Sequence, residues 1–260
     1  GLGPDGIHVL GDPAESLWRV LVDPIDGTRS LMYDKRSAWF LAAVAPDRGP
    51  ATSLGDAFAA VMVELPTSKL RYADEFWATA GGVAVGTRVD LIDGSSRPLP
   101  PRPSQERTLR NGFGQVSNFF PGVKRLASEL MENIAHETLG RVAVSEAAIF
   151  DDQYISSGGQ LVELMMGRDR FCCDLRPLFY RILAGKGEET ASGLACHPYD
   201  MAGLLIARKA GVVITDGFGE VLDAPFNVHS DVHWCGYAND ELRRLIEPIV
   251  QAWLRERLPA

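Results

Sequence analysis

Apolar residues fall along this chain in short blocks with two different spacings. Leu17-Trp18-Arg19-Val20-Leu21-Val22 is rich in β-branched and aromatic residues and is closed by Asp23-Pro24, so it reads as a strand. Trp39 to Val44 reads the same way, as does Ala57 to Leu65 ahead of Pro66. Past residue 120 the spacing becomes helical. Val123, Leu126, Leu130 and Ile134 recur on one face of an amphipathic helix, and Ser156 to Met166 carries Leu161, Leu164 and Met165 on one side. Asp200 is expected to open a third helix, Met201 to Lys209, which Gly211 stops at the C-cap. Val212 to Thr215 then reads as a short strand ended by Asp216-Gly217. The last helix starts at Asn239 or Asp240, carries Leu242, Leu245, Ile246, Ile249 and Trp253 as its stripe, and is expected to kink at Pro248. Asp93 to Pro103, rich in Pro, Ser and Gly, reads as a loop. It is the expected seam between an N-terminal α+β subdomain (1–104) and a C-terminal α/β subdomain (105–260). Strands alternating with helices predict an α/β or α+β layered fold.

Composition narrows the function classes. The 260 residues carry 26 Lys and Arg against 34 Asp and Glu, a formal charge of −8 that disfavours nucleic acid as a partner. If the ligand is a phosphate, such a chain needs metal cations to invert the local charge. No window approaches the run of about 18 apolar residues that spans a membrane. The opening Gly1-Leu2-Gly3-Pro4-Asp5-Gly6 forms neither a basic region nor an apolar signal core, so the expectation is a cytoplasmic protein without a membrane partner. Cys172, Cys173, Cys196 and Cys235 are too few and too irregular for a disulfide framework and read as reduced thiols.

The chemistry concentrates in Val22-Asp23-Pro24-Ile25-Asp26-Gly27-Thr28. Two carboxylates three positions apart end an apolar strand. Pro24 fixes the first step of a turn that lets both face one point, and Gly27 lets backbone approach a ligand closely. Thr28 adds a hydroxyl and an N–H. Hard cations such as Mg²⁺ take oxygen ligands of this kind together with substrate phosphate. The plain alternative is an Asp-rich turn that merely ends a strand. A third carboxylate stands in His197-Pro198-Tyr199-Asp200-Met201-Ala202-Gly203, where an N-cap is the ordinary use of Asp200.

Together these segments resemble the inositol monophosphatase family, within the metal-dependent sugar phosphatases that include fructose-1,6-bisphosphatases. Asp23 to Thr28 resembles the family's D-P-[IL]-D-G-T turn. Tyr199 to Gly203, with Lys209-Ala210-Gly211-Val212 after it, resembles W-D-x-A-A-G and the E-A-G-G that follows. Between them, Ser156 to Phe171 is similar to the G-S-A-A helix and the G-R-x-D-A-F segment, most clearly at Gly167 to Phe171. The resemblance runs from about Leu17 to Asn227. It implies a layered αβαβα sandwich, commonly a homodimer, that hydrolyses a small phosphorylated polyol or sugar with Mg²⁺ and metal-activated water. It implies metal ligation by Asp23, Asp26, Asp200 and the Ile25 carbonyl, and phosphate binding by the Gly27 and Thr28 amides. The Thr28 hydroxyl is implied to orient the attacking water, and Asp174 to accept hydrogen bonds from substrate hydroxyls. Alternatives are a non-catalytic relative that binds metal or sugar phosphate, a fructose-1,6-bisphosphatase, or a nucleotide 3′-phosphatase of the same superfamily.

The sequence also departs from the family pattern. The family carries an N-terminal helical pair and a Gly-Glu-Glu motif upstream of the turn, and neither precedes Asp23 here. A chain opening on Gly1 reads as a fragment, a processed product or an incompletely represented chain, and a real absence is expected to weaken metal affinity and turnover. Gly187-Glu188-Glu189-Thr190 repeats those letters far out of order. Tyr199 replaces Trp, and Arg29-Ser30-Leu31 replaces Thr-Asn-Phe. Leu175 to Cys196 is an insertion whose Arg176, Arg181 and Lys186, beside Phe179 and Tyr180, suit either a second phosphate or a solvated loop or dimer contact. The spacing Gly1-x-Gly3-x-x-Gly6 has no strand before it and is not a dinucleotide fingerprint. His229, His233 and Cys235 lack a fourth zinc ligand, and His197 reads as a hydrogen-bonded scaffold residue.

Overall fold

Alternation drives the first third of the chain into an antiparallel meander: β1 (Trp18–Asp26), β2 (Ala38–Pro46), β3 (Ala59–Leu65), β4 (Tyr72–Thr79), β5 (Val85–Asp90) and β6 (Ser96–Pro98), with strands neighbouring in chain order. A single turn of helix, α1 (Thr28–Met32), joins β1 to β2. The computed structural model describes residues 6–12, 15–187 and 193–259. The expected loop at Asp93–Pro103 is therefore partly a strand, because β6 completes the sheet on β5 before the chain leaves it. The dinucleotide-like spacing at Gly1–Gly6 and the repeat of the Gly-Glu-Glu letters at Gly187–Thr190 lie largely outside the described residues.

The second half builds a mixed sheet with strand order β10-β11-β9-β7-β8 from β7 (Gly112–Val116), β8 (Ile149–Phe150), β9 (Asp169–Asp174), β10 (Val213–Thr215) and β11 (Trp234–Tyr237). β7 runs parallel to β8 and β9, and the other pairings are antiparallel. The helices are α2 (Lys124–Leu139), α3 (Ser157–Met165), α4 (Arg176–Gly185), α5 (Leu204–Ala210) and α6 (Asp240–Arg257).

Two cores hold these layers. Between the sheets, Leu161, Leu164 and Met165 of α3 and Leu204 and Ile206 of α5 meet Leu41, Met62 and Phe76 on one side and Cys172, Ile214 and Trp234 on the other. Beyond the second sheet, Leu126, Leu130 and Ile134 of α2, Phe179 of α4, and Leu242, Ile246 and Trp253 of α6 cover Phe171, Cys173 and Tyr237. Residues 171 to 173 thus alternate between the two cores, as a strand buried on both faces must. The order is sheet, helices, sheet, helices. The described residues supply four layers of the implied αβαβα sandwich, and Val20 and Trp77 on the outer face of the first sheet are exposed.

Several local expectations need adjusting. The supposed insertion is not a solvated loop in its first half: α4 buries Pro177, Leu178, Phe179 and Ile182, and Arg176 is internal. Asp200 opens no α-helix. It stands in a 3-10 turn, Pro198–Met201, and α5 begins only at Leu204, because Pro198 in the first turn and the His197–Asp200 capping box tighten the chain. Gly211 does end α5 in the left-handed region (φ 99°), and Asn239 caps α6 by accepting the Leu242 N–H at 2.9 Å. α6 continues through Pro248 as one element. All four cysteines are free and buried. Among the described residues no helix is long and apolar enough to cross a membrane.

Candidate metal centre

A regular strand sends residues three apart to opposite faces. β1 does not stay regular. Asp23 pairs with Leu41 and Asp26 with Trp39, so three steps on β1 oppose two on β2 and the strand bulges at Pro24 and Ile25. Leu21, Asp23 and Asp26 are buried, while Pro24 and Ile25 both face outward. Proline is tolerated here because β1 is an edge strand and a bulge needs no ladder donor. The sequence read Asp23-Pro24 as the end of the strand; the structure carries the strand through the bulge to Asp26.

Gly27, at φ 93°, then turns the chain into α1, whose first residue is Thr28. A Cβ at Gly27 would stand 3.0 Å from Ser156 Cβ and 3.2 Å from the Ile155 carbonyl, so this position needs glycine both for φ and for space. The Thr28 hydroxyl donates to the Ile25 carbonyl at 2.6 Å.

Asp23, Asp26 and Asp200 each bring a carboxylate oxygen within 4.8 Å of the others. Among the described residues they form the one group of three or more His, Cys, Asp and Glu side chains close enough to hold a metal ion. Each is held from behind. Asp23 Oδ1 accepts the Ile25 N–H at 3.0 Å. Asp26 Oδ2 accepts the Gly158 N–H at 2.6 Å and the Ser156 hydroxyl at 2.8 Å. Asp200 Oδ2 accepts the His197 N–H at 2.6 Å. All three carboxyls titrate above the usual carboxylate range, first because burial strips their water. For Asp26 the Asp23 charge adds to this, and for Asp200 the Asp26 charge does. Three crowded carboxylates, with no cationic side chain among the described residues hydrogen-bonded to them, are a donor set that a hard cation would complete.

The other expected site residues lie elsewhere. Asp174 is wholly buried, and Arg176 forks onto both of its oxygens, at 2.8 Å and 3.0 Å from Nε and 2.5 Å from Nη2. Arg176 is thus the hydrogen-bond partner of Asp174 in this structure. Arg176 Nη1 and the Tyr180 hydroxyl both donate to the Leu194 carbonyl. Neither Arg176 nor Phe179 is free to meet a second phosphate. His197 Nδ1 stands 3.0 Å from the Ser230 carbonyl, the scaffold role expected of it. His233 Nδ1 accepts the Gly217 N–H and Cys235 is buried in β11, so they join no metal cluster. Tyr199 is partly buried against the inter-sheet core.

Reading the sequence missed Ser156 and Gly158 as partners of Asp26. The signal was present as a Ser followed by small residues at a helix start, but nothing in the chain order tied that start to β1.

The arrangement of two sheets and two helical layers is shared with solved proteins. The SuhB extragenic suppressor protein of Bartonella henselae superposes with a TM-score of 0.58 at 18% identity, over 92% of this chain and 70% of that one. SaIMPase-II with inositol monophosphate bound gives 0.57 at 17%, over 94% and 76%. Leishmania major fructose-1,6-bisphosphatase in its holo form gives 0.60 at 14%, over 92% and 69%. The chain has the inositol monophosphatase fold. No family model and no curated protein matches it by sequence. In this inositol monophosphatase fold the acidic trio sits where the end of β1 meets the Pro198–Met201 turn and the head of α3.

Proposed function

We propose that the chain is a Mg²⁺-dependent phosphomonoesterase acting on a small phosphorylated polyol or sugar. The observation that supports this most is the convergence of Asp23, Asp26 and Asp200 beside the Gly27–Thr28 turn. The three carboxylates and the Ile25 carbonyl would hold the cation, and the bound metal would polarise the phosphate and lower the pKa of a water. The Gly27 and Thr28 amides, at the start of α1 where first-turn N–H groups have no intrahelical acceptor, donate to phosphate oxygens. The Thr28 hydroxyl donates its hydrogen bond to the Ile25 carbonyl, so its oxygen is left to accept a hydrogen bond from the attacking water and orient it. The water oxygen bonds to phosphorus as the bond between phosphorus and the ester oxygen breaks, and the proton that the water gives up balances the one the departing alcohol takes on. The homodimer and the cytoplasmic location implied by the resemblance belong to the same reading.

SaIMPase-II binds inositol monophosphate and the Leishmania major relative is a fructose-1,6-bisphosphatase, which makes those two ester classes the first to assay. Phosphate release is measured from inositol-1-phosphate, fructose-1,6-bisphosphate and adenosine 3′,5′-bisphosphate, with Mg²⁺ and with EDTA. Release that EDTA abolishes supports the proposal; release indifferent to EDTA overturns it. A second reading, a non-catalytic metal and sugar-phosphate binder, is favoured by the cluster having three carboxylates and no fourth among the described residues. Cation binding without release of phosphate from any ester would decide for it.

A further inference from the structure

The geometry points to Ser156 as the residue that positions Asp26 for the cation, through a hydroxyl shared between a helix cap and a metal ligand. This rests on the metal-site reading above. Ser156 is buried, with 3% of its surface exposed, in extended backbone immediately before α3. Its Oγ accepts the Gly159 N–H at 2.8 Å, which is ordinary N-cap geometry. A serine hydroxyl has one proton to give, and here it goes to Asp26 Oδ2 at 2.8 Å. The Gly158 N–H reaches the same oxygen at 2.6 Å. Both of these donors fall on Oδ2, and the Ser157 N–H also hydrogen-bonds the Asp26 carboxylate, so the head of α3 holds this side chain in place.

The surroundings hold Ser156 in place. A Cβ added at Gly27 would press on Ser156 Cβ, and one added at Gly158 would stand 3.0 Å from Asp26 Oδ2. The first turn of α3, the Gly27 turn and the bulged end of β1 are thus packed around one hydroxyl. Cap and ligand orientation are coupled because one oxygen, Ser156 Oγ, both accepts the Gly159 N–H and donates to Asp26 Oδ2. Partners that orient metal ligands in this way commonly contribute a factor of roughly 10–100 in metal affinity.

The test separates the cap from the donor. Glycine serves as an N-cap nearly as well as serine but has no hydroxyl, whereas threonine keeps both functions. Mn²⁺ binding to the full chain is measured by calorimetry for the parent protein, Ser156→Gly and Ser156→Thr, alongside melting temperatures in EDTA. The expected result is a roughly 10-fold or greater loss of Mn²⁺ affinity in Ser156→Gly with a metal-free melting temperature close to the parent's, and near-parent affinity in Ser156→Thr. Parent-like affinity in Ser156→Gly overturns the positioning role while leaving the metal site standing. Absence of Mn²⁺ binding in the parent overturns the metal-site reading and this inference with it. If Ser156→Gly does not fold, Ser156→Ala against Ser156→Thr carries the same comparison, with equal affinities in the two counting against the proposal.

Discussion

Asp23 and Asp26 stand three residues apart on one strand and still face the same way, because β1 gains a residue on β2 between them. The bulge places two carboxylates side by side on the buried face, and the turn at Pro198–Met201 brings Asp200 against them. Such crowding of like charges destabilises the protein unless a cation neutralises it.

Replacing Asp26 should expose that effect. The substitution Asp26→Asn keeps an acceptor oxygen for Ser156 and Gly158 and removes the charge. A carboxyl whose folded pKa is raised stabilises the fold fully below its unfolded pKa and loses that contribution as pH rises through the folded value. In EDTA at pH 8, Asp26→Asn is therefore expected to melt about 2–4 °C above the parent, on the order of 1 kcal/mol, and to lose the rise that Mn²⁺ gives the parent. Thermal scans with and without Mn²⁺ read both effects; a lower metal-free melting temperature would contradict the charge argument.

A second buried acid titrates away from the centre. Burial in β9 pushes Asp169 up to about 7, against the Gln115 amide that donates to it at 3.1 Å. The sign is the same, so its contribution fades between about pH 4 and pH 7. Asp169→Asn should leave stability nearly unchanged at pH 4 and raise it at pH 8, by on the order of 1–3 kcal/mol. Urea titrations at the two pH values, in EDTA, check the difference.

Asp174 and Arg176 form a buried ion pair. Arg176→Met strands a wholly buried carboxylate and should cost about 3–5 kcal/mol, whereas Asp174→Leu combined with Arg176→Met should recover most of that loss. Phosphatase turnover in the double variant close to the parent's would argue against Asp174 as a substrate ligand. A large rise in KM alone would support that role.

Tyr154 ties the segment ahead of α3 to the start of β2. Its hydroxyl accepts from Trp39 Nε1 at 3.0 Å and donates to the Ser37 carbonyl at 2.8 Å, while Arg36 stacks on the ring at 3.8 Å from its centre. Tyr154→Phe leaves a buried indole N–H without its partner and should destabilise by about 1–3 kcal/mol in urea unfolding. An unchanged midpoint would show that another acceptor takes its place.

Much of the architecture was legible from periodicity. The strands of the first sheet through Leu65, the stripes on α2 and α6, the Gly211 stop and the Asn239 cap all follow from local rules that the fold leaves intact. Where those rules failed, a distant partner had intervened. Ser96–Pro98 is a strand because β5 offers it an edge, and Arg176 is buried because Asp174 neutralises it. Pairings of this kind leave no mark on the residues beside them.

By itself the sequence determined which groups could do chemistry: hard oxygen donors at Asp23, Asp26 and Asp200, a glycine that permits φ 93°, and a threonine beside it. The tertiary structure alone decided which of them meet. Side-chain type and backbone preference are properties of a residue and its near neighbours. Facing and distance depend on a bulge set by β2, on a turn closed by His197 and on a hydroxyl at the head of α3, all fixed only when the layers pack.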